Sequence, residues 1–263
     1  MTLSIVNNQN YLSEKNAHVR DKCISFDEGP HIYTINGENN YDSVTTFIGE
    51  HFDKFDTDKI IDRMMKGKNW SQSKYYGKTK QEIKDLWGNN GKQSADLGTE
   101  LHKDIEYFYN HCEVNNKSIE YEYFLKFNST NHNLTPYRTE WMIWDKTHRL
   151  AGSIDMIYEM NGELVMFDWK RTKELEKYSN YNKSSKTECI SHIPDTKFWK
   201  YALQQNIYKY IFESNYDVKI KEMNLLVLHP NNNSYITFKV PNLQKEVGDL
   251  FNERLNNMKS NIT

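Results

Sequence analysis

Two short apolar runs, each interrupted by one aspartate, constrain this chain more than any other stretch. From Arg149 to Lys170 the sequence reads RLAGSIDMIYEMNGELVMFDWK. Ser153 to Tyr158 and Glu163 to Trp169 have β-type composition and flank Met160-Asn161-Gly162, the pattern of an antiparallel hairpin. Asp155 sits between Ile154 and Met156, and Asp168 follows Val165, Met166 and Phe167, so both carboxylates lie in strands that otherwise read as buried. Ionised groups are costly there unless paired or metal-bound. Lys170 follows two residues after Asp168, on the same strand face. One hairpin thus offers two carboxylates and an ammonium to a single point in space.

That constellation suits phosphodiester hydrolysis. Two carboxylates hold one or two hard divalent cations, which polarise the phosphate and lower the pKa of a bound water. The lysine orients that water or stabilises developing charge. The plainer alternative makes Asp168 and Lys170 an ion pair at a strand end and Asp155 a turn-adjacent surface residue, since D-x-K in a strand is common.

At 263 residues the chain is long enough for one large or two small domains. Its net charge of −2 excludes a global basic field, so any nucleic-acid contact must come from a local patch. Cys23, Cys112 and Cys189 are odd in number and far apart, which fits free thiols in a reducing compartment. Three thiolates cannot supply the four that an iron–sulfur cluster wants. No apolar run approaches the roughly 20 residues of a membrane helix, and no basic-then-apolar leader opens the chain. A soluble intracellular protein with no membrane partner is expected.

Along the chain, Met1 to Pro30 is weakly periodic and reads as a loose leader or an arm. His31 to Ile35 reads as a strand, Asn36-Gly37 as its turn, and Asp42 or Ser43 as the cap of a helix through Val44, Phe47, Ile48 and Phe52. Between Lys59 and Lys84 eight cations face only Asp62 and Glu82, with Trp70, Tyr75, Tyr76 and Trp87 interleaved. Cations and flat rings are what a single-strand channel uses; a solvated helical pair with inward aromatics is the alternative. Ser94 to Cys112 reads as a helix with Leu97, Leu101, Ile105 and Phe108 as its apolar stripe, and Gly98, His102 and Glu106 at one-turn spacing on an adjacent face. His102 and Glu106 can there point at one metal.

Tyr137 to Asp145 is the next strand; its Glu140 is a site carboxylate or an edge-strand charge. Arg171 to Lys197 reads as a long polar loop with Lys173, Lys177, Lys183, Lys186, Tyr178 and Tyr181, functional or disordered. Phe198 to Phe212 is a second helix, with Gln204 and Tyr208 one turn apart. Met223 to His229 and Ser234 to Val240 read as strands, and Asn242 caps a closing helix. Helices packed on one sheet, an α/β protein, follow from that order.

Taken in order, Gly98-x-x-x-His102-x-x-x-Glu106, Gly152-x-x-Asp155, Asp168-x-Lys170 and Gln204-x-x-x-Tyr208 resemble the motif set of the RecB-like branch of the PD-(D/E)XK nucleases. That branch includes the RecB nuclease domain, CRISPR-adaptation nucleases and the mitochondrial genome maintenance exonuclease. The resemblance spans Gly98 to Tyr208, a little under half of the chain. Each motif is weak alone; four in order are specific. The Asp195 to Tyr208 segment also resembles versions carried by large DNA viruses and phages, which implies the cytoplasm or a site of viral or phage DNA replication.

The resemblance implies a restriction-endonuclease-like core: a central mixed β-sheet flanked by helices, with a helical N-terminal insertion or arch. Residues 1–263 would be a single nuclease domain, with about 43–93 the basic, aromatic substrate-binding region, about 94–240 the core and 241–258 the closing helix. It further implies Mg2+ or Mn2+, one or two ions. His102, Asp155, Asp168 and the Trp169 carbonyl would be ligands, Lys170 the catalytic lysine, and Glu106 a supporting or second-metal carboxylate. Gln204 and Tyr208 would position substrate. Ile154 rather than proline precedes Asp155, as is usual in this branch, and the cluster-binding cysteines of some relatives are missing, so no iron–sulfur cluster is expected.

In relatives, helices before the histidine motif arch over the site, and a threaded strand is cut from an end. Lys59 to Trp87 occupies that place in sequence, with Lys66, Lys68, Trp70, Tyr75 and Tyr76, and later Lys173, as expected strand contacts. The leading expectation is a single-strand-preferring DNA exonuclease of recombination, repair or replication, acting on single strands or duplex ends, with a helicase or recombinase as partner. A structure-specific DNA or RNA endonuclease is the second reading. A catalytically silent nucleic-acid-binding subunit is the third, and the presence of Asp155, Asp168 and Lys170 together speaks against it.

Overall fold

The computed structural model describes residues 8–179 and 182–260; Tyr181 and the start of the expected N-terminal arm lie outside them. Lys54–Glu100 form one compact unit, and the chain before and after it, up to Asp53 and from Leu101, forms the other.

The larger unit begins with α1 (Tyr11–Lys15), a hairpin of β1 (Ile24–Asp27) and β2 (Ile32–Ile35), the two-residue strand β3 (Asp42–Ser43) and α2 (Val44–Glu50). Ser43 caps α2 as expected, accepting the Thr46 N–H at 3.0 Å. The smaller unit holds α3 (Thr57–Met65) and the first part of α4 (Lys80–Tyr109), whose residues from Leu101 belong to the larger unit. The larger unit resumes near the end of α4 with α5 (Ile119–Thr130), then β4 (Thr135–Asp145), β5 (Leu150–Met160) and β6 (Glu163–Lys170). It closes with α6 (Lys197–Asn215), β7 (Ile220–Val227), β8 (Ile236–Lys239) and α7 (Gln244–Ser260).

Hairpin β5/β6 forms as its sequence requires. Asn161 and Gly162 take φ of 55° and 80°, the left-handed pair that a two-residue hairpin turn needs. The main sheet runs β3-β5-β6-β7-β8, with β4 on the other edge of β5. It is mixed: β5 lies antiparallel to β4 and β6 and parallel to β3, and β7 is parallel to β6. The parallel pair β6/β7 needs a crossover, which the loop after Lys170 and α6 provide.

Helices cover both faces. One face packs Val44 and Phe47 of α2, Leu203, Ile207 and Ile211 of α6, and Val247, Leu250 and Phe251 of α7 against Ile154, Met166 and Leu225. The other packs Leu101, Ile105 and Tyr109 of α4 and Tyr121, Phe124 and Phe127 of α5 against Met156, Val165, Phe167 and Trp169. Alternation along β6 therefore sends Val165, Phe167 and Trp169 to one side and Met166 to the other, and Asp168 and Lys170 share the parity of Met166.

Three expectations change. Helix α4 starts at Lys80 rather than Ser94, because Thr79 and Glu82 cap that end reciprocally and Ile83 is buried, while Gly88 and Gly91 cost only their propensity, about 1 kcal/mol each. The long polar loop is packed in part: Leu175, Ile190 and Ile193 are buried, and Ser185 Oγ donates to the His51 carbonyl at 2.8 Å. The cation-rich segment is less free than its composition suggests, since Lys80 pairs with Asp58 and Asp62, and Lys84 with Asp58. Among the described residues no helix is long and apolar enough to cross a membrane.

Candidate metal centre

Three elements of the larger unit bring a histidine and two acids together. His102 comes from α4, Glu140 from β4 and Asp155 from β5, with donor atoms all within 4.8 Å of one another. Glu140 falls between the ladder pairs Thr139–Met156 and Trp141–Ile154, and so lies across from Asp155. Its backbone is left-handed, with φ of 42°, a conformation that costs a non-glycine residue on the order of 1–2 kcal/mol. Ser153 Oγ donates to Glu140 Oε2 at 3.0 Å.

The backbone of Trp169 aims the other two donors. Its N–H donates to Asp155 Oδ2 at 2.9 Å, and its carbonyl lies 2.9 Å from His102 Nε2. A carbonyl only accepts, so Nε2 carries the proton and Nδ1 keeps its lone pair. That Nδ1 lies 3.6 Å from Asp155 Oδ2 and 3.9 Å from Glu140 Oε1. The Trp169 carbonyl, expected as a ligand, accepts from the His102 ring, the kind of partner that orients an imidazole able to hold a metal.

Electrostatics fit a cation. Burial, with Lys170 nearby, drives the His102 imidazolium down to about 4, so the ring is neutral near pH 7. Burial and then Asp155 and Glu106 push the Glu140 carboxyl well above its ordinary value. Burial raises Asp155 as well, against the pull of Lys170. A neutral imidazole and two crowded carboxylates are a donor set whose mutual repulsion a divalent ion relieves.

Beside this group Lys170 Nζ lies 2.7 Å from Asp168 Oδ2, with side chains 15% and 3% exposed. Burial alone would lower the ammonium, but Asp168 and Asp155 outweigh it and hold it above its ordinary value. Burial carries Asp168 up to about 7 against the pull of Lys170. The Lys170 ammonium also sits 4.5 Å from the ring centroid of Tyr201. Asp168, expected as a ligand, pairs with Lys170 and lies beside Asp155, and Glu140 stands in the three-donor group.

Glu106 is half-buried and its carboxyl is raised by burial; it is outside the three-donor group. Gln204 Nε2 donates to Tyr208 Oη at 3.1 Å and to Thr45 Oγ1 at 3.3 Å. Tyr208 is buried against Gly152, where a Cβ would lie 2.5 Å from its ring. The glycine of Gly-x-x-Asp therefore makes room for Tyr208, whereas a Cβ at Gly98 would meet nothing within 4 Å. Lys173 is exposed and pairs with Glu174 at 3.3 Å. In the smaller unit Lys66, Lys68 and Tyr76 are exposed, while Trp70 and Tyr75 are half-buried, with ring centroids 5.9 Å from Tyr76 and Trp87 respectively.

The sequence alone leaves Glu140 undecided and assigns no site role to Tyr33 or Tyr201. Glu140 carried the signal that singled out Asp155, one acid inside an apolar strand. Tyr33 has its hydroxyl pushed up to about 12 by burial, Glu140 and Asp155.

No family model and no curated protein matches the chain. Among solved structures it is similar to SSO0001, with TM-score 0.37, 13% identity, and 95% of this chain and 83% of that one covered. It is also similar to a protein from Eubacterium rectale that carries the provisional name of an exonuclease, with TM-score 0.34, 12% identity, and 84% and 79% covered.

Proposed function

We propose that this chain is a metal-dependent nuclease of the RecB-like PD-(D/E)XK kind, a single-strand-preferring DNA exonuclease of recombination, repair or replication. The observation that carries the reading is the His102–Glu140–Asp155 donor group with a protonated lysine beside it, at the end of the neighbouring strand. Mg2+ or Mn2+ suits the two carboxylates, and the imidazole favours Mn2+ of the two. A divalent ion held there supplies a water of lowered pKa and polarises the phosphoryl oxygen.

The chain's own groups do the rest. His102 offers Nδ1 because the Trp169 carbonyl holds Nε2–H. Asp155 is fixed by the Trp169 N–H, and Asp168 pins Lys170, whose ammonium meets negative charge developing on the phosphate. Lys66 and Lys68 suit backbone phosphates, and Trp70, Tyr75 and Tyr76 suit bases. A helicase or recombinase partner is part of the same reading, as is an intracellular setting.

The test is cleavage of end-labelled single-stranded DNA and the matching duplex with Mg2+, Mn2+ or EDTA. Wild type should cut in metal and stop in EDTA. Lys170→Ala should lose about 100-fold or more in rate while still binding DNA. A wild-type chain that binds DNA and never cuts it in either metal would sink the nuclease reading, and ready nicking of circular single strands would remove the need for an end.

A further inference from the structure

Hairpin β1/β2 stands outside the main sheet and carries a row of rings. Its register pairs Phe26 with Tyr33, and the two ring centroids are 4.5 Å apart. The exposed ring of His31 meets Phe26 edge-on at 4.9 Å. At the inner end Tyr33 is buried, packs with Ile35 and Trp144, and feels the charges of Glu140 and Asp155. At the outer end Phe26 is half-buried. The connecting turn brings Glu28 into the field of Glu106. The row thus runs from the exposed His31 to the buried Tyr33, which packs with Trp144 of β4 and Ala151 of β5, the strands that carry Glu140 and Asp155.

Charge narrows what this row can meet. Ile24 to Ile35 contains Asp27 and Glu28 and neither lysine nor arginine. Such a hairpin has no lysine or arginine to hold a phosphate backbone and offers ring faces and edges to a flat, neutral partner. Ile24, Tyr33 and Ile35 anchor it to the body, and Phe26 packs against that cluster while staying half-exposed beside the exposed His31.

We propose that β1/β2 is a nucleobase-stacking wall: with the scissile phosphate at the His102–Glu140–Asp155 group, the adjoining base leaves its neighbours and stacks on Phe26 and His31. The proposal rests on the nuclease reading and deepens it. A base that stacks there is unpaired, so the wall selects single-stranded substrate by its rings rather than by charge.

The test uses a single-stranded oligonucleotide carrying 5-iodouracil, irradiated on the Lys170→Ala chain with Mn2+, where the strand stays whole. The expected cross-link falls on Phe26 or His31, found by mass spectrometry of the peptides. By fluorescence anisotropy, Phe26→Ala and Phe26→Leu should weaken single-strand binding about 5- to 100-fold, with duplex binding within about twofold and Phe26→Trp restoring the loss. Phe26→Leu keeps the site apolar, and thermal melts show that each variant is folded. Cross-links confined to other residues, with both variants binding within about twofold of wild type, would overturn the wall and leave the metal centre standing. A wild-type chain that binds neither strand form in Mn2+ would overturn the nuclease reading and the wall with it.

Discussion

Glu140 is the residue where local cost and use are most plainly set against each other. It holds a left-handed backbone in a strand, with its carboxyl across from Asp155. Without a cation the two acids repel, and burial keeps both raised. Replacing the charge by an amide should therefore help the metal-free fold and harm metal binding. Glu140→Gln is expected to gain on the order of 1 kcal/mol at neutral pH in EDTA, from urea melts. In the same variant the rise in Tm that Mn2+ gives wild type should shrink or vanish. A variant that loses stability in EDTA and still gains fully from Mn2+ would place the ion elsewhere.

At the scale of elements, the fit of α6 on β5 turns on one missing methyl group. Tyr208 lies with its ring where a Cβ on residue 152 would be, 2.5 Å from Cε1 and 2.8 Å from the hydroxyl. The ring is buried and hydrogen-bonded to Gln204, so it has little room to swing away. Gly152→Ala should cost about 1–3 kcal/mol, and adding Tyr208→Leu should recover part of that loss. Additive losses would show that the two positions do not touch. This packing was half legible in sequence: the glycine and tyrosine stood out as motif members, while nothing in their spacing said that one accommodates the other. Hairpin β5/β6 was fully legible, because Asn-Gly and alternation act locally. Helix α5 was not foreseen, because Ile119, Tyr123 and Leu125 lie off the stripe of Tyr121, Phe124 and Phe127 and blur its period. Glu140 stayed undecided for a related reason, since its role depends on a partner strand.

Across the larger unit, the ends of β4 and α6 and the middle of α7 are tied by one polar network centred on Asp145 and His148, which fall between Glu140 and Asp155 in the chain. Asp145 accepts from the His148 N–H at 2.6 Å, from His148 Nδ1 at 2.7 Å and from Asn215 Nδ2 at 3.0 Å. The His148 ring stacks on Phe251 at 4.1 Å, its carbonyl accepts from Arg254 Nε at 2.6 Å, and Arg254 Nη2 donates to Asp42 Oδ2 at 2.7 Å. Burial would raise the Asp145 carboxyl, but these hydrogen bonds, led by His148, outweigh it and hold it below its ordinary value. A carboxyl lowered on folding contributes stability that is present above its unfolded pKa, about 3.9, and is lost as pH falls through the lower folded value. Asp145→Asn should cost about 2 kcal/mol at pH 5 to 7, because an amide presents a donor where three donors converge. Below about pH 4 the gap between wild type and variant should close as the wild-type carboxyl takes up its proton. Urea melts from pH 3 to 7 read this directly, and a gap that widens in acid would mean the carboxyl is protonated in the folded chain at neutral pH.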